Sequence, residues 1–214
     1  HFAIRRQRQM CIRDRYNIRL FSSNFALYGD ISKRVFDIVA KDVPAYEIYS
    51  IDEAFLDFSG IKDPYNYALH LRDKVKRWTG IPISIGISYT KTLSKVAGHI
   101  AKKSSDGVCL LNNEGRIDKI LSSLPVDEIW GVGMRYAMKL KKYDIHTAKD
   151  LRGCEESWVR KMMNVVGLRM VRELKCIPHF NLEEDRSMKK SICTSRSFSV
   201  EITEYSRMSE YLSM

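Results

Sequence analysis

The sequence lacks three features that would each define a class of protein. No apolar run approaches the roughly 20 residues that a transmembrane helix needs, so no membrane span is predicted. The five cysteines are odd in number, widely separated and without a CxxC pair, which argues against a disulfide framework and a zinc cluster. The N-terminal residues show no apolar segment of a signal peptide. These absences favour a reducing, cytoplasmic compartment.

Positive charge is what the sequence has in excess. Its 214 residues include 36 Lys and Arg against 26 Asp and Glu, which gives a net charge of +10. A basic surface attracts polyanions and releases condensed counterions on binding, so nucleic acid is the favoured partner. Residues 1–15 contribute four of these charges, and the remainder of the chain is still basic at about +6.

The first fifteen residues, HFAIRRQRQMCIRDR, differ from the rest because they show no amphipathic period. They are Arg-rich and acid-poor, so a basic nucleic-acid arm and a transit-peptide-like start are two interpretations. A third, which we favour, is that RQRQMCIRDR resembles peptide translated from sequencing-adapter DNA. Residues 1–15 are then a non-native or disordered segment.

Hydrophobic periodicity predicts an α+β domain over residues 16–113. Ser23 or Asn24 can cap a first amphipathic helix that ends before Pro44, and a second helix ends at Gly80. A third follows, for which Thr90 is the cap. Four short runs have strand composition: AYEIYSI, AFLDFS, IPISIGIS and GVCLL. The order of these elements predicts helices packed on one face of an antiparallel or mixed sheet.

After residue 114 the strand patterns give way to helical ones. Residues 114–178 predict a small all-helical unit, which is broken by two apolar-glycine turns, WGVGM at 130–134 and VVGLR at 165–169. Residues 179–190 are polar and aperiodic, which predicts a linker. Residues 191–214 predict one strand, SICTSRSFSVEI, and the start of a helix, too little to form a core of their own.

Asp52 and Glu53 stand between the first two strand patterns, inside the apolar stretch EIYSIDEAFLDFSG. Adjacent strand residues point to opposite faces, so both carboxylates can serve one site only at a turn, a bulge or a strand end. Clustered carboxylates raise each other's proton affinity unless a cation neutralises them, and hard oxygen ligands suit Mg²⁺. The alternative is a hairpin tip with solvated charge, which explains most such dipeptides.

Two lysines near a predicted helix start indicate a site for phosphate. Lys91 and Lys95 are one helical turn apart, and the N-terminus of a helix that follows a central strand favours a triphosphate. A solvated lysine face is the alternative. Together with the acid pair, these lysines suggest phosphoryl or nucleotidyl transfer.

The stretch IWGVGMRYAMKL has the pattern of a helix-hairpin-helix turn. Gly131 and Gly133, on either side of Val132, would let backbone N–H groups at a helix start approach a phosphate. Lys139 on the following helix favours sequence-independent binding to the DNA backbone. A tight turn between helices that binds no ligand is the alternative.

The stretch YSIDEAFLDFSG resembles the acidic motif of Y-family translesion DNA polymerases. Further motifs resemble, in order and spacing, the UmuC-type catalytic subunit of bacterial DNA polymerase V: FSSNFALYGDISKRV, GISYTKTLSKVAGHIAKK, LPVDEIWGVG, VRELK and SICTSRSFS. The resemblance implies a partial polymerase palm at 16–113, a helical thumb with helix-hairpin-helix turns at 114–178, a linker at 179–190 and the start of a truncated little-finger domain at 191–214.

The resemblance also implies roles for the candidate residues. Asp52 and Glu53 would be catalytic carboxylates that bind two Mg²⁺ ions, which activate the primer 3′ hydroxyl and neutralise the incoming dNTP. Lys95 would contact the phosphates of that nucleotide. Gly131, Val132 and Gly133, with Lys139, would hold the backbone of the primer-template DNA. Further partners implied by the family are a UmuD-type dimer, a RecA filament and a sliding clamp, the last bound beyond the final residue.

The sequence departs from the family pattern in two places, and each departure leads to an expectation about the chain. The family's palm begins with a strand whose aspartate completes the metal site, followed by fingers residues, and neither precedes Tyr16. We therefore expect the chain as given to be inactive and its palm sheet to lack a central strand. Related sequences tend to have glycine at the position of Cys176, so we expect a mildly strained helix end there.

The expected function is template-directed, error-prone translesion DNA synthesis by Mg²⁺-dependent nucleotidyl transfer, on DNA in the bacterial cytoplasm. An alternative is a non-catalytic module that binds the DNA backbone, in which the acids are structural. A nucleotide cyclase, which shares palm-like topology and two-metal chemistry, is a third interpretation, and the helical glycine-turn segment argues against it.

Overall fold

The computed structural model describes residues 16–19, 21, 23–183, 191 and 201–212. The chain divides into two compact units, residues 1–184 and 185–214. This division falls inside the predicted linker, and the predicted palm and thumb boundaries stay predictions. In the described part of the chain, no helix is both long enough and apolar enough to cross a membrane.

The first unit alternates helices and short strands before becoming wholly helical. Its described elements are α1 (Phe25–Val39), β1 (Tyr46–Ile48), β2 (Ala54–Leu56), α2 (Pro64–Thr79), β3 (Ile85–Ser88), α3 (Lys91–Ala101), β4 (Val108–Leu111), α4 (Glu114–Ser123), a 3-10 turn (Val126–Glu128), α5 (Met134–Lys141), α6 (Ala148–Gly153) and α7 (Glu156–Leu174). In the second unit α8 (Tyr205–Leu212) begins where a helix start was predicted. The predicted strand SICTSRSFSVEI lies almost entirely outside the described residues.

Side-chain caps set the helix ends that the sequence predicted. The Asn24 carboxamide oxygen accepts a hydrogen bond from the Leu27 N–H group at 3.0 Å and so caps α1. The Thr90 hydroxyl accepts one from the Leu93 N–H group at 3.3 Å and caps α3. Gly80, with φ +74°, ends α2 in the left-handed conformation. The predicted caps Asn24 and Thr90 and the stop at Gly80 are confirmed.

The strands form two separate pairs, whereas a single sheet was expected. β1 and β2 are antiparallel, with Glu47 opposite Phe55, and β3 and β4 are parallel, with Ile85 opposite Val108. Within the described residues each sheet has two strands, so the two pairs are held together by side-chain packing rather than by a continuous backbone ladder. The α+β class itself is confirmed.

One hydrophobic core lies between helices α1 and α2 and the strands. Its buried residues are Val35, Phe36, Ile38, Val39, Ala68, Leu71, Val75, Ile85 and Val108. The helical stripes predicted for α1 and α2 supply most of them. Tyr28 and Trp78 lie at helical spacing from these buried residues but are 52% and 63% exposed.

A second core joins α3 and β4 to the helical region. Its largest fully buried side chains include Leu93 of α3, Leu111 of β4, Leu121 of α4, Leu140 of α5 and Leu174 of α7. The hydrophobic packing therefore continues across residue 114, where the sequence pattern changes from mixed to helical. Helix α3 has one face in this core and lies against β3 with another.

Gly86 sets how closely β3 approaches α3. A Cβ atom placed on Gly86 would lie 2.0 Å from the backbone nitrogen of Gly98 and 2.5 Å from the carbonyl carbon of Ala97. Real Cβ atoms do not come this close to backbone atoms, so only glycine permits the contact. The depth of α3 against the strand, and with it the position of the lysines in its first turns, follows from this glycine.

The break predicted at 165–169 occurs at Asn164, inside α7. Asn164 has φ +66° and ψ −169°, and its side-chain oxygen accepts a hydrogen bond from the Val166 N–H group at 2.8 Å. The break therefore lies one residue earlier than predicted, because an asparagine supplies the positive φ and caps the second half of the helix.

The last turn of α7 is a Schellman motif. The Cys176 N–H group donates to the Glu173 carbonyl, and the Ile177 N–H group donates to the Arg172 carbonyl, both at 3.0 Å. This motif requires a left-handed residue, and Cys176 occupies that position with φ +64°. The strain expected at Cys176 is therefore confirmed.

We predict that Cys176→Gly raises the free energy of unfolding by about 1 kcal/mol, because a non-glycine residue in the left-handed conformation costs roughly 1–2 kcal/mol. Burial raises the pKa of the Cys176 thiol, so near neutral pH the substitution removes no charge. Urea unfolding measures the change. Cys154→Gly is the control, because Cys154 has φ −67° and should lose stability. A Cys176→Gly variant no more stable than the wild type would contradict the prediction.

Candidate functional site

The two acids lie on a tight turn between β1 and β2. The N–H groups of Tyr49 and Ser50 donate to the Glu53 carbonyl at 2.9 and 3.0 Å, which closes the turn. Asp52 is exposed, and its carboxylate accepts a hydrogen bond from the Ser50 hydroxyl at 2.6 Å. The prediction that the acid pair sits at a turn rather than within a strand is confirmed. We call residues 49–53 the acid turn.

Lys95 joins α3 to the acid turn. Its Nζ lies 2.8 Å from Glu53 Oε2, and its side chain is 21% exposed. The ammonium also lies 4.4, 5.4 and 5.8 Å from the ring centroids of Tyr49, Phe55 and Trp130, which we call the aromatic cage. The structure thus brings together Glu53 and Lys95, two residues that the sequence singled out for separate reasons.

Trp130 connects the cage to the predicted DNA-binding turn. Its indole N–H group donates to the Tyr49 hydroxyl at 3.1 Å, and its ring packs against Phe55 and Phe180, each with a centroid separation of 5.6 Å. Trp130 directly precedes Gly131. Sequence reasoning missed Trp130 and Phe180 as parts of the site. Trp130 could have been found from the sequence because it lies in the motif LPVDEIWGVG. Phe180 lies in none of the motifs, so no sequence pattern offered a reason to select it.

Lys91 binds partners other than the acid turn, and its ammonium lies 4.9 Å from the ring centroid of Phe55. It forms an ion pair with the Glu47 carboxylate and donates to the Asn181 carbonyl at 2.7 Å, with 10% of its side chain exposed. Lys91 and Lys95 lie on neighbouring turns of α3 as predicted, but only Lys95 borders the acid pair. Lys91 therefore ties α3 to β1 and to residues 179–183.

The N-terminus of α3 is closed by the protein itself. The Glu173 carboxylate, which is fully buried, accepts hydrogen bonds from the N–H group and the hydroxyl of Thr92, both at 2.8 Å. A carboxylate at this position uses the same N–H groups and dipole that would otherwise favour a phosphate. The expectation of a phosphate at this helix end is therefore corrected: the nearby cation that remains for phosphate is Lys95.

Residues 131–133, which we call the glycine turn, connect the 3-10 turn to α5. Gly131 has φ +89°, and Val132 is buried and donates from its N–H group to the Ile129 carbonyl at 2.9 Å. Gly133 is the N-cap of α5 with φ −74°, and a Cβ atom placed on it would meet nothing within 4 Å. The fold therefore requires glycine at 131 but not at 133. The element before the turn is a single 3-10 turn rather than an α-helix.

Lys139 lies on α5, on the exposed surface. Its Nζ donates to the Met162 carbonyl at 3.0 Å, close to the break in α7. Since α7 is interrupted at Asn164, carbonyl groups before the break lack their usual helical donors, and Lys139 satisfies one of them. The predicted DNA-binding role of Lys139 stays a prediction.

The acid pair can supply two carboxylates to a metal ion. Across the described ranges, no three His, Cys, Asp or Glu side chains are grouped as a metal site. Asp52 is solvent-exposed and Glu53 is half-buried, and Mg²⁺ accepts one or two carboxylates together with waters and substrate phosphates. The pair therefore fits part of a Mg²⁺ site.

Comparison with known proteins decides the family. The model of the impB/mucB/samB family matches residues 2–99. Protein UmuC of Salmonella typhimurium is 42% identical over 201 residues, which cover 91% of this chain and 47% of UmuC. Protein MucB of Escherichia coli is 40% identical over 86% of this chain and 45% of MucB. The chain belongs to the UmuC-type Y-family DNA polymerases.

More distant relatives agree with this assignment. DNA polymerase IV 1 of Halalkalibacterium halodurans is 32% identical over 71% of this UmuC-type chain and 37% of the relative. A DinB-family error-prone DNA polymerase from Sulfolobus solfataricus has a TM-score of 0.64 at 20% identity, over 77% of this chain and 51% of that one. At this identity the likeness establishes the fold alone. The chain spans about half the length of the curated relatives it matches.

We predict that Trp130→Ala lowers the free energy of unfolding by about 2–4 kcal/mol, because it removes the shared wall of the cage. Trp78→Ala is the matched control: Trp78 is 63% exposed, and its loss should cost less than about 1 kcal/mol. Urea unfolding, followed by circular dichroism, gives both values. Equal losses in the two variants would show that the cage adds no stability.

Proposed function

We propose that this UmuC-type chain carries the site of a template-directed DNA polymerase that copies damaged templates with low fidelity, by Mg²⁺-dependent nucleotidyl transfer. The observation that carries the proposal is the pairing of Glu53 with Lys95. A carboxylate suited to Mg²⁺ and an ammonium suited to phosphate lie 2.8 Å apart, and the residue that precedes Glu53, Asp52, is exposed.

Asp52 and Glu53 would hold the metal. Bound Mg²⁺ would activate the primer 3′ hydroxyl and neutralise negative charge on the triphosphate. The residues of the chain would do the positioning: the hydrogen bonds that close the acid turn hold the backbone of Glu53, and the hydrogen bond from Ser50 orients the carboxylate of Asp52. Positioning of this kind supplies much of the rate enhancement in phosphoryl transfer.

Lys95 would exchange Glu53 for the triphosphate. Its ammonium is partly exposed, so a phosphate oxygen can reach it, and the aromatic cage favours a cation at the same place with either partner. With Glu53 as a ligand of Mg²⁺, the positive charge of Lys95 would be available to a phosphate of the nucleotide. The ion pair would then be the substrate-free form of the site.

The glycine turn and Lys139 would bind the backbone of duplex DNA. The open space beside Gly133 supports this, because the fold gives no packing reason for a glycine there. No side chain caps α5, so the N–H groups of its first turn can receive a phosphate. The positive net charge of the chain favours the same partner.

In the described part of the chain the site has two carboxylates, and the resemblance places a third in a strand that precedes them in the family. The same resemblance supplies the remaining proposals: a UmuD-type dimer and a RecA filament as activating partners, and a sliding clamp. The bacterial cytoplasm is the proposed compartment.

We predict that the complete natural protein extends a primed template in Mg²⁺ and that Asp52→Ala lowers extension by at least about 1000-fold. Loss of a metal ligand affects the chemical step and leaves duplex affinity within about twofold. Gel-resolved primer extension and fluorescence anisotropy measure the two quantities. Asp73→Ala, at an exposed acid on α2, is the control and should behave as the wild type.

The outcomes separate the candidate functions. Extension that survives Asp52→Ala would remove the acid turn from the metal site. A complete protein that binds duplex DNA but extends no primer would favour a non-catalytic DNA-backbone-binding module, in which the Glu53–Lys95 pair is structural. Turnover of free nucleotide without DNA would indicate a cyclase.

A further inference from the structure

Glu173 is a buried carboxylate that the proposed chemistry does not use. It is 0% exposed, yet its two oxygens accept four hydrogen bonds. One oxygen accepts from the N–H group and the hydroxyl of Thr92, both at 2.8 Å, and the other from the N–H groups of His179 at 3.1 Å and Phe180 at 2.9 Å. A carboxylate this deeply buried is stable only with such partners, which indicates a specific task.

The first arm of this network is the start of α3. Thr92 lies in the first turn of the helix, where a negative charge is favoured by the helix dipole. The Thr90 hydroxyl also donates to the backbone carbonyl of Glu173 at 3.0 Å. Because a helix is rigid over one turn, the anchor at Thr92 fixes the direction in which Lys95, three residues later, leaves α3.

The second arm is the segment that follows α7, residues 179–183, which we call the strap. Beyond the two N–H groups bound by Glu173, the Glu183 N–H group donates to the Glu47 carboxylate at 2.8 Å. The Asn181 carbonyl accepts from Lys91 at 2.7 Å. The strap is therefore fastened to α7, α3 and β1, although its sequence is polar and aperiodic.

The strap is connected to Lys95 through Phe180 and Trp130. Holding the backbone of Phe180 places its ring against Trp130, at a centroid separation of 5.6 Å. Trp130 is one wall of the aromatic cage, 5.8 Å from the Lys95 ammonium. Both arms of the Glu173 network therefore lead to the Lys95 ammonium. The first arm sets the direction of α3, which carries Lys95, and the second arm holds Phe180 against Trp130 of the aromatic cage.

We propose that Glu173 is a positioning residue for Lys95, an inference that rests on the proposed function because it assigns Lys95 to the incoming nucleotide. Glu173 orients α3 through Thr92 and closes the cage through Phe180. Helix α7, which carries Glu173, is thereby coupled to the nucleotide site without touching the nucleotide.

The direct readout is the chemical reactivity of Lys95. Acetylation by a lysine-selective reagent, followed by mass spectrometry, gives the labelling rate of Lys95 relative to Lys41, which is exposed and distant in sequence. This measurement needs neither DNA nor polymerase activity. In the wild type the ion pair and the cage should slow the labelling of Lys95 relative to Lys41.

We predict that Glu173→Gln raises the relative labelling of Lys95 at least about fivefold, because a carboxamide keeps the shape but turns an NH₂ group toward N–H donors. Glu155→Gln is the matched control: this exposed glutamate at the start of α7 contacts neither α3 nor the strap and should leave labelling unchanged. Unchanged labelling in a folded Glu173→Gln variant would overturn the proposal.

Two milder variants keep the proposal testable if Glu173→Gln fails to fold. Thr92→Val removes one donor from the first arm, and Phe180→Ala removes the ring of the second. Each should raise the relative labelling of Lys95 by about twofold or more. If both variants fold and both label Lys95 at the wild-type rate, Glu173 has no positioning role.

A kinetic split in the complete protein distinguishes positioning from mere stability. Thr92→Val and Phe180→Ala should raise the KM for dNTP by about threefold or more and leave duplex affinity unchanged. Equal losses of dNTP and duplex binding would contradict the proposal. If the complete protein proves not to be a polymerase, the proposed function fails while the labelling result still decides whether Glu173 positions Lys95.

Discussion

The Lys95 ammonium, paired with Glu53 and enclosed by three aromatic rings, is the contact on which the rest of the site depends. A half-exposed ion pair by itself contributes at most about 1 kcal/mol, and ring faces add about 0.5–2 kcal/mol for a cation held against them. The ammonium contacts both the rings and the carboxylate, and in the proposed function a phosphate would take the place of the carboxylate. The proposed function would use this cation to bind an anionic substrate.

Four parts of the chain are needed to hold that cation. Gly86 lets α3 lie against β3 backbone to backbone, which sets the depth of the helix. The acid turn brings Glu53 to the ammonium, and Trp130 brings the glycine turn to the same cage. Glu173 fixes the helix start and the strap. Trp130 therefore lies between the metal-binding candidates and the duplex-binding candidates.

The features that the sequence predicted correctly are those set by residues close together in the chain. The caps at Asn24 and Thr90, the buried stripes of α1 and α2 and the turn that carries the acids all follow from residues close together in the chain. What the sequence did not show are contacts between residues 81 or more apart, such as Trp130 with Tyr49 and Glu173 with Thr92. The strap has the composition of a linker because its hydrogen bonds use backbone groups, which leave no trace in side-chain pattern.

The most direct measurement is the position of the Lys95 ammonium in a crystal structure of the complete protein with primed template, dNTP and Mg²⁺. The account predicts that Nζ lies about 3 Å from a phosphate oxygen of the nucleotide, inside an intact aromatic cage, with Mg²⁺ against Asp52 and Glu53. A complex in which Lys95 remains paired with Glu53 while the nucleotide and metal bind elsewhere would contradict it.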